Sequence, residues 1–256
     1  MKVTILQTDI VWGKPSENQM HAEKMIQQAK GSDLYILPEM WNTGFNTCSK
    51  DFAEQEEESI AQGSVAWMRH TAMTNEAAVC GSIAIKTASE QCFNRTYFAF
   101  PDGTLEHYDK RHLFSPGGED MFFSKGNERK IVEYKGYRFM LLVCYDLRFP
   151  IWSRCNNDYD AIIYVANWPS PRQDVWTTLL KARAIENQCY VIGVNRTGND
   201  VCCQYEGGSI IFDAYGKIVA DCKNESCVAT AELDLKKQNT FRNKFAVLND
   251  RDSFQY

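Results

Sequence analysis

The sequence predicts an α/β fold with mixed β-sheets sandwiched between helices, and three observations carry that prediction. The N-terminus reads strand, amphipathic helix, strand, which is the unit of a helix-covered sheet. The turn Pro101-Asp102-Gly103 joins two apolar runs as a hairpin, so antiparallel pairs join the parallel ones. Six or more apolar strands at regular intervals exceed what one short sheet needs, and two packed sheets with helices outside account for them. No linker, internal repeat or low-complexity segment interrupts residues 1–256, which read as a single domain.

Taken in order, Met1 to Val11 holds the first strand. Pro15-Ser16 opens a helix with Ser16 as N-cap and Gln19 three residues on, a capping-box pattern. Ala22, Met25, Ile26 and Ala29 fall at i, i+3, i+4, i+7, and Gly31 stops the helix. Leu34 to Leu37 is a second strand, delivering the loop Pro38-Glu39-Met40-Trp41-Asn42-Thr43-Gly44-Phe45. The acidic run Glu54 to Glu58 reads as a solvated face. Val65, Met68 and Ala72 mark a second helix. Val79 to Ile85 and Cys92 to Phe100 are strands, and Thr104 to Asp109 returns from the hairpin to end at Asp109-Lys110-Arg111-His112.

The central strand is Phe139 to Val143, an unbroken apolar run of the kind buried on both faces of a sheet. It ends on Cys144, and the charges and proline that follow turn the chain sharply at the sheet's carboxyl edge, where layered α/β proteins gather ligand groups. Tyr159 to Ala166 is another buried strand before Asn167-Trp168-Pro169. Trp176, Leu179, Leu180, Arg183 and Ala184 trace a helix. Cys189 to Asn195, Ser209 to Phe212, Lys217 to Ala220 and Cys227 to Leu233 complete the strands.

Composition narrows the function classes. A net charge of −5 with scattered Lys and Arg gives no footprint for nucleic acid. No apolar run approaches the roughly 20 residues that span a bilayer. Gln7 and Asp9 cut the N-terminal apolar stretch too short for a secretory signal, so a cytoplasmic protein is expected. Ten cysteines without a C-x-x-C pair, and four histidines without ligand spacing, argue for reduced thiols and no metal.

Three strand ends carry a reactive group: Glu39, Lys110 and Cys144. A thiol attacks only as thiolate, and no histidine sits at a comparable strand end except His112, so Glu39 is the candidate base. Lys110 would hold a tetrahedral oxyanion. These chemistries together fit acyl transfer from an amide or nitrile through a thioester. Each residue alone has an ordinary reading, as surface charge or as packing. Trp41, Phe45 and Trp168 are candidates to wall a small pocket, with core packing as the alternative.

Leu37-Pro38-Glu39-Met40, Tyr108-Asp109-Lys110-Arg111-His112-Leu113-Phe114 and Val143-Cys144-Tyr145-Asp146-Leu147-Arg148-Phe149-Pro150 resemble the three signature regions of the carbon-nitrogen hydrolase (nitrilase) superfamily. Ala166-Asn167-Trp168-Pro169 and Arg183-Ala184-Ile185-Glu186-Asn187 are similar to its later landmarks. The tail Phe241-Arg242-Asn243-Lys244-Phe245 most resembles the omega-amidase branch, which hydrolyses short dicarboxylate monoamides such as 2-oxoglutaramate and 2-oxosuccinamate.

The resemblance implies Glu39 as general base, Lys110 as oxyanion stabiliser, Cys144 as nucleophile and the Tyr145 backbone N–H as the rest of the oxyanion hole. It also implies a second glutamate, Glu119, although Ser115-Pro116-Gly117-Gly118 makes a turn-rich approach to it. The implied fold is a four-layer α-β-β-α sandwich. No cofactor is implied, the partner is a small-molecule amide, and the family commonly forms homodimers, with Phe245 and Phe254 as expected docking residues. Arg148 is the candidate for a distal substrate carboxylate, or else a structural ion pair with Asp146 or Glu186. N-carbamoyl amino-acid hydrolysis and a catalytically silent scaffold are the alternative functions.

Overall fold

The computed structural model describes residues 1–46 and 51–253. Two mixed sheets pack face to face between helices. In the first, Lys2–Gln7 lies between Cys227–Glu232, antiparallel to it, and Leu34–Ile36, parallel to it. Ala78–Lys86, Cys92–Ala99 and Leu105–Asp109 continue outward, and Glu54–Gln55 pairs with the far end of Ala78–Lys86. The second sheet runs in the order Ile218–Asp221, Ile210–Phe212, Tyr190–Val194, Ala161–Val165, Tyr137–Val143, Ile131–Tyr134.

The side-chain alternation of a strand accounts for the layering. Val3, Ile5, Leu34, Ile36, Ala78 and Cys80 join the core shared with the second sheet. Their neighbours Leu6, Tyr35, Leu37 and Val79 pack instead with Ala22, Met25 and Ile26 of helix Pro15–Gln28 and with Val65, Met68 and Ala72 of helix Ser64–Asn75. On the far side, Trp176 and Leu180 of helix Gln173–Asn187 press on Gly193 so closely that a Cβ there would lie 2.4 Å from Leu180 Cδ1. The expected α-β-β-α order is what forms.

Local capping differs from the sequence reading at the first helix. Pro15 is its first residue and Lys14 its N-cap, and Ser16 makes no capping bond. Pro at this position is pre-set in φ and lacks an N–H that would be unpaired anyway. Asn18 does the joining work, accepting from the Val11 N–H and donating to the carbonyls of Val11 and Asn42 at 2.8 Å each.

The acidic run is not a simple solvated face either. Glu54 accepts hydrogen bonds from Asn42, Ser59 and Ser64, and Glu56 pairs with Arg95. Phe245 is exposed beside Phe241, and Phe254 lies outside the described residues. Among the described residues no helix is long and apolar enough to cross a membrane.

Candidate active site

Three parallel strands in the two sheets end on the same rim. Leu34–Ile36 leads into Pro38 and Glu39, Tyr137–Val143 into Cys144, and Ala161–Val165 into Asn167. Val143 and Val165 are register partners, so Cys144 and Asn167 leave adjacent strands. From the hairpin, the Lys110 N–H extends the ladder by bonding the Asn94 carbonyl at 3.0 Å.

Backbone geometry at the rim is unusual. Met40 and Cys144, neither of them glycine, hold φ of 41° and 43°, in the left-handed region that costs side-chain-bearing residues free energy. The turn at Cys144 is held by Asp146, whose Oδ2 accepts from the Val143 N–H at 3.0 Å and from the Tyr108 hydroxyl at 2.9 Å. Oδ1 accepts from the His112 backbone N–H at 2.9 Å and sits 2.8 Å from its Nδ1. The turn carrying Cys144 is thereby tied to the strand end carrying Lys110.

Around Lys110 the polar groups form one buried cluster. Its Nζ donates to Glu39 Oε1 at 2.9 Å and to both oxygens of Glu119, at 2.8 and 3.1 Å. All three side chains are fully buried. Asn94 Nδ2 donates to Glu39 Oε1 at 2.7 Å and to Glu119 Oε1 at 3.0 Å, and the Phe114 N–H holds Glu119 Oε2 at 2.6 Å. Asn94 is itself oriented, accepting from Ser82 Oγ, which in turn accepts from the Met40 N–H. Such charges persist in a low-dielectric interior only when every partner is supplied.

The titration behaviour follows from this packing. Burial alone would lower the Lys110 pKa, but the carboxylates of Glu119 and Glu39 outweigh it and push it up. Burial raises the Glu119 pKa, with Lys110 opposing. The Cys144 thiol is held well above its ordinary range, first by burial and then by the charge of Glu39, while Lys110 acts the other way. Burial and the neighbouring Glu39 thus favour the protonated form of the resting sulfur.

Cys144 opens into a cavity of about 240 Å³. Phe45, Tyr145, Arg148, Asn167 and Trp168 line it, together with Trp12, Phe114, Arg172 and the segment Asp200–Cys203. Phe45 also lies under Lys110, whose Nζ is 5.1 Å from the ring centroid. Trp41 is corrected: it is 1% exposed, packs against Trp67 at 4.8 Å between centroids, and belongs to the core beneath the outer helices. Gly81 leaves no room beside it, since a Cβ there would come 2.9 Å from the indole.

The structural alternative for Arg148 also falls away. Asp146 is occupied by His112 and Tyr108, and Glu186 pairs with Arg183 at 3.0 Å. Arg148 instead lies over Trp168 at 5.3 Å, and Arg172 lies over Phe114 at 5.4 Å. Among the described residues neither guanidinium has an ion pair, so the apolar cavity carries two free cations.

Sequence reasoning missed Asn94 and Arg172, and placed Asn167 in a landmark of the family without giving it a role. Asn94 left one trace, an amide in the buried register of an apolar strand, where it must find partners. Arg172 left none, because only the fold brings it to the cavity that Arg148 lines. Among the described residues no group of three or more His, Cys, Asp or Glu side chains is placed to hold a metal.

A model of the carbon-nitrogen hydrolase family matches residues 2–243. This chain belongs to that family. The carbon-nitrogen hydrolase chain is 42% identical to the omega-amidase YafV of Yersinia enterocolitica, over 99% of this chain and 98% of that protein. It is 38% identical to the 2-oxoglutaramate amidase of Bacillus subtilis strain 168, over 98% of each. Among solved structures, XC1258 of Xanthomonas campestris, a CN-hydrolase superfamily protein with an arsenic adduct in the active site, superposes with a TM-score of 0.95 at 38% identity. That match covers 100% of this chain and 98% of the other.

Proposed function

We propose that this amidase removes the terminal amide of short dicarboxylate monoamides of the 2-oxoglutaramate and 2-oxosuccinamate type, releasing ammonia through a thioester on Cys144. The observation that carries the reading is a small cavity lined by the Cys144 thiol and by two guanidiniums without an ion pair among the described residues, with a buried Glu-Lys-Glu cluster whose charges act on that thiol. The names of the omega-amidase and 2-oxoglutaramate amidase relatives support the same substrate class.

In this mechanism Glu39 takes the Cys144 proton as sulfur attacks the amide carbon, and the carbonyl oxygen becomes an oxyanion. Lys110 and the Tyr145 backbone N–H hold that charge. The intermediate collapses as the C–N bond breaks and Glu39 gives its proton to the departing nitrogen, leaving thioester and ammonia. Glu39 then deprotonates a water that attacks the thioester, and its proton returns to the sulfur as the acid leaves. Glu119, fixed by Asn94 and the Phe114 N–H, keeps Lys110 charged and aimed. Arg148 and Arg172 anchor the distal carboxylate, which places the amide at Cys144.

The test is ammonia release from 2-oxoglutaramate by the wild type and by Cys144→Ala. Release by the first and none by the second is expected, and equal release would refute the nucleophile. Carbon dioxide appearing with ammonia from N-carbamoyl amino acids, and no turnover of 2-oxoglutaramate, would move the assignment to that other class. Arg148→Ala and Arg172→Ala should each raise KM by roughly tenfold or more for acid-bearing amides, with little effect on neutral ones.

A further inference from the structure

One buried polar atom at the cavity is left over by the mechanism. Asn167 is only 4% exposed, and two of its groups serve Glu39: the backbone N–H donates to Glu39 Oε2 at 2.8 Å, and Nδ2 donates to the Glu39 carbonyl at 2.6 Å. The Oδ1 has no partner among the described residues. Its identity as the oxygen is fixed by chemistry, because a backbone carbonyl only accepts and the amide nitrogen must face it. Asn167 therefore presents a buried, immobilised acceptor at a residue that lines the cavity beside Cys144.

We propose that Asn167 Oδ1 accepts a hydrogen bond from the –NH2 of the scissile amide and so selects amides over esters, an inference that rests on the amide-hydrolysis reading above. A primary amide brings one acceptor and two donors. Lys110 and the Tyr145 N–H take the acceptor. One N–H faces Glu39, which must later protonate that nitrogen, and the second needs another acceptor on the same side. The groups already turned on Glu39, from Lys110, Asn94 and the Asn167 backbone, are all donors. Asn167 Oδ1 is a buried acceptor of a cavity-lining residue with no partner among the described residues. An ester of the same acid would turn an oxygen lone pair toward it and leave it unpaired, which is how buried polar groups reject an analogue lacking the donor.

The test compares kcat/KM of the wild type and Asn167→Ala on a short acid-bearing amide and on the methyl ester of the same acid. The loss of the Nδ2 bond to Glu39 should lower both values, and the amide value should fall a further roughly tenfold or more, so that the amide-to-ester ratio collapses. A role confined to positioning Glu39 would depress both substrates together and leave the ratio intact, which overturns the proposal. An unaltered amide value overturns it as well.

A crystal structure of Cys144→Ala with the bound amide gives a second reading that does not depend on the Asn167 variant folding. The substrate nitrogen should lie about 3 Å from Oδ1, and a nitrogen bonded elsewhere refutes the contact. If the wild type hydrolyses another short amide but not 2-oxoglutaramate, the substrate-class reading fails while the ratio on that amide still decides Asn167.

Discussion

At the scale of the residue, the site depends on one ammonium shared by two carboxylates where water cannot reach. Lys110 stands between Glu39 and Glu119 with all three fully buried, so its positive charge is what makes the two negative ones tolerable. Removing one member of such a set costs far more than the set contributes as a whole. Lys110→Met should therefore lose about 3–5 kcal/mol of stability in urea unfolding, and, in the proposed mechanism, activity should fall by about 10²–10³ with the oxyanion donor gone. Glu119, already raised by burial and lowered again by Lys110, would rise further and take up a proton. Adding Glu119→Gln to Lys110→Met should then recover part of the stability but none of the turnover. A Lys110→Met variant as stable as the wild type would contradict this account.

Among the elements, the two that must meet are the strand end bearing Lys110 and the turn bearing Cys144, and Asp146 joins them. Four polar groups from both segments converge on its carboxylate. Asp146→Ala would strand the Tyr108 hydroxyl and the Val143 N–H in the interior. A loss of about 3 kcal/mol or more is expected in denaturant unfolding, with kcat falling more than KM rises because the Cys144 thiol shifts against Lys110. A loss confined to KM would show that Asp146 does not set the turn.

The sequence exposes the endpoints of this link but not the link. The strands before Glu39 and Cys144 are legible as short unbroken apolar runs, and the one before Lys110 as the far arm of the hairpin at Pro101-Asp102-Gly103, so their ends follow. What escapes is whatever is written in polar residues. Helix Leu235–Lys244 has few apolar positions and showed no period, helix Glu56–Gln62 hides in the acidic run, and strand Ile131–Tyr134 is broken by Glu133. That last strand joins the central one through Lys135 and Gly136, both at positive φ, a two-residue hairpin turn that the pair Lys-Gly signals only weakly. Trp41 fails for the complementary reason. An indole two residues from Glu39 is equally at home in a pocket wall or a core, and only the outer helices decide.

For the molecule as a whole, the same dense burial that shapes the site sets a limit at high pH. Burial raises the pKa of Cys80 in a strand, of Cys189 just before one, and of Tyr108, Tyr159 and Tyr164, so the folded chain keeps these protons in alkali. An unfolded chain releases them near about 8.5 for thiols and about 10 for phenols. The unfolded state thus binds fewer protons once the pH passes those values, and stability falls as pH rises. Below about pH 8.5 these groups contribute in full. Above it each thiol removes about 1.4 kcal/mol per pH unit until it ionises in the folded state, and the phenols add theirs above about 10. The urea midpoint measured under reducing conditions should accordingly hold level from these groups to about pH 8.5 and then drop with increasing steepness. Replacing Cys80 or Cys189 by Ala should lower the starting stability yet flatten the alkaline slope by one group. An unchanged slope in both variants would mean that the drop arises from net charge rather than from protons trapped in the core.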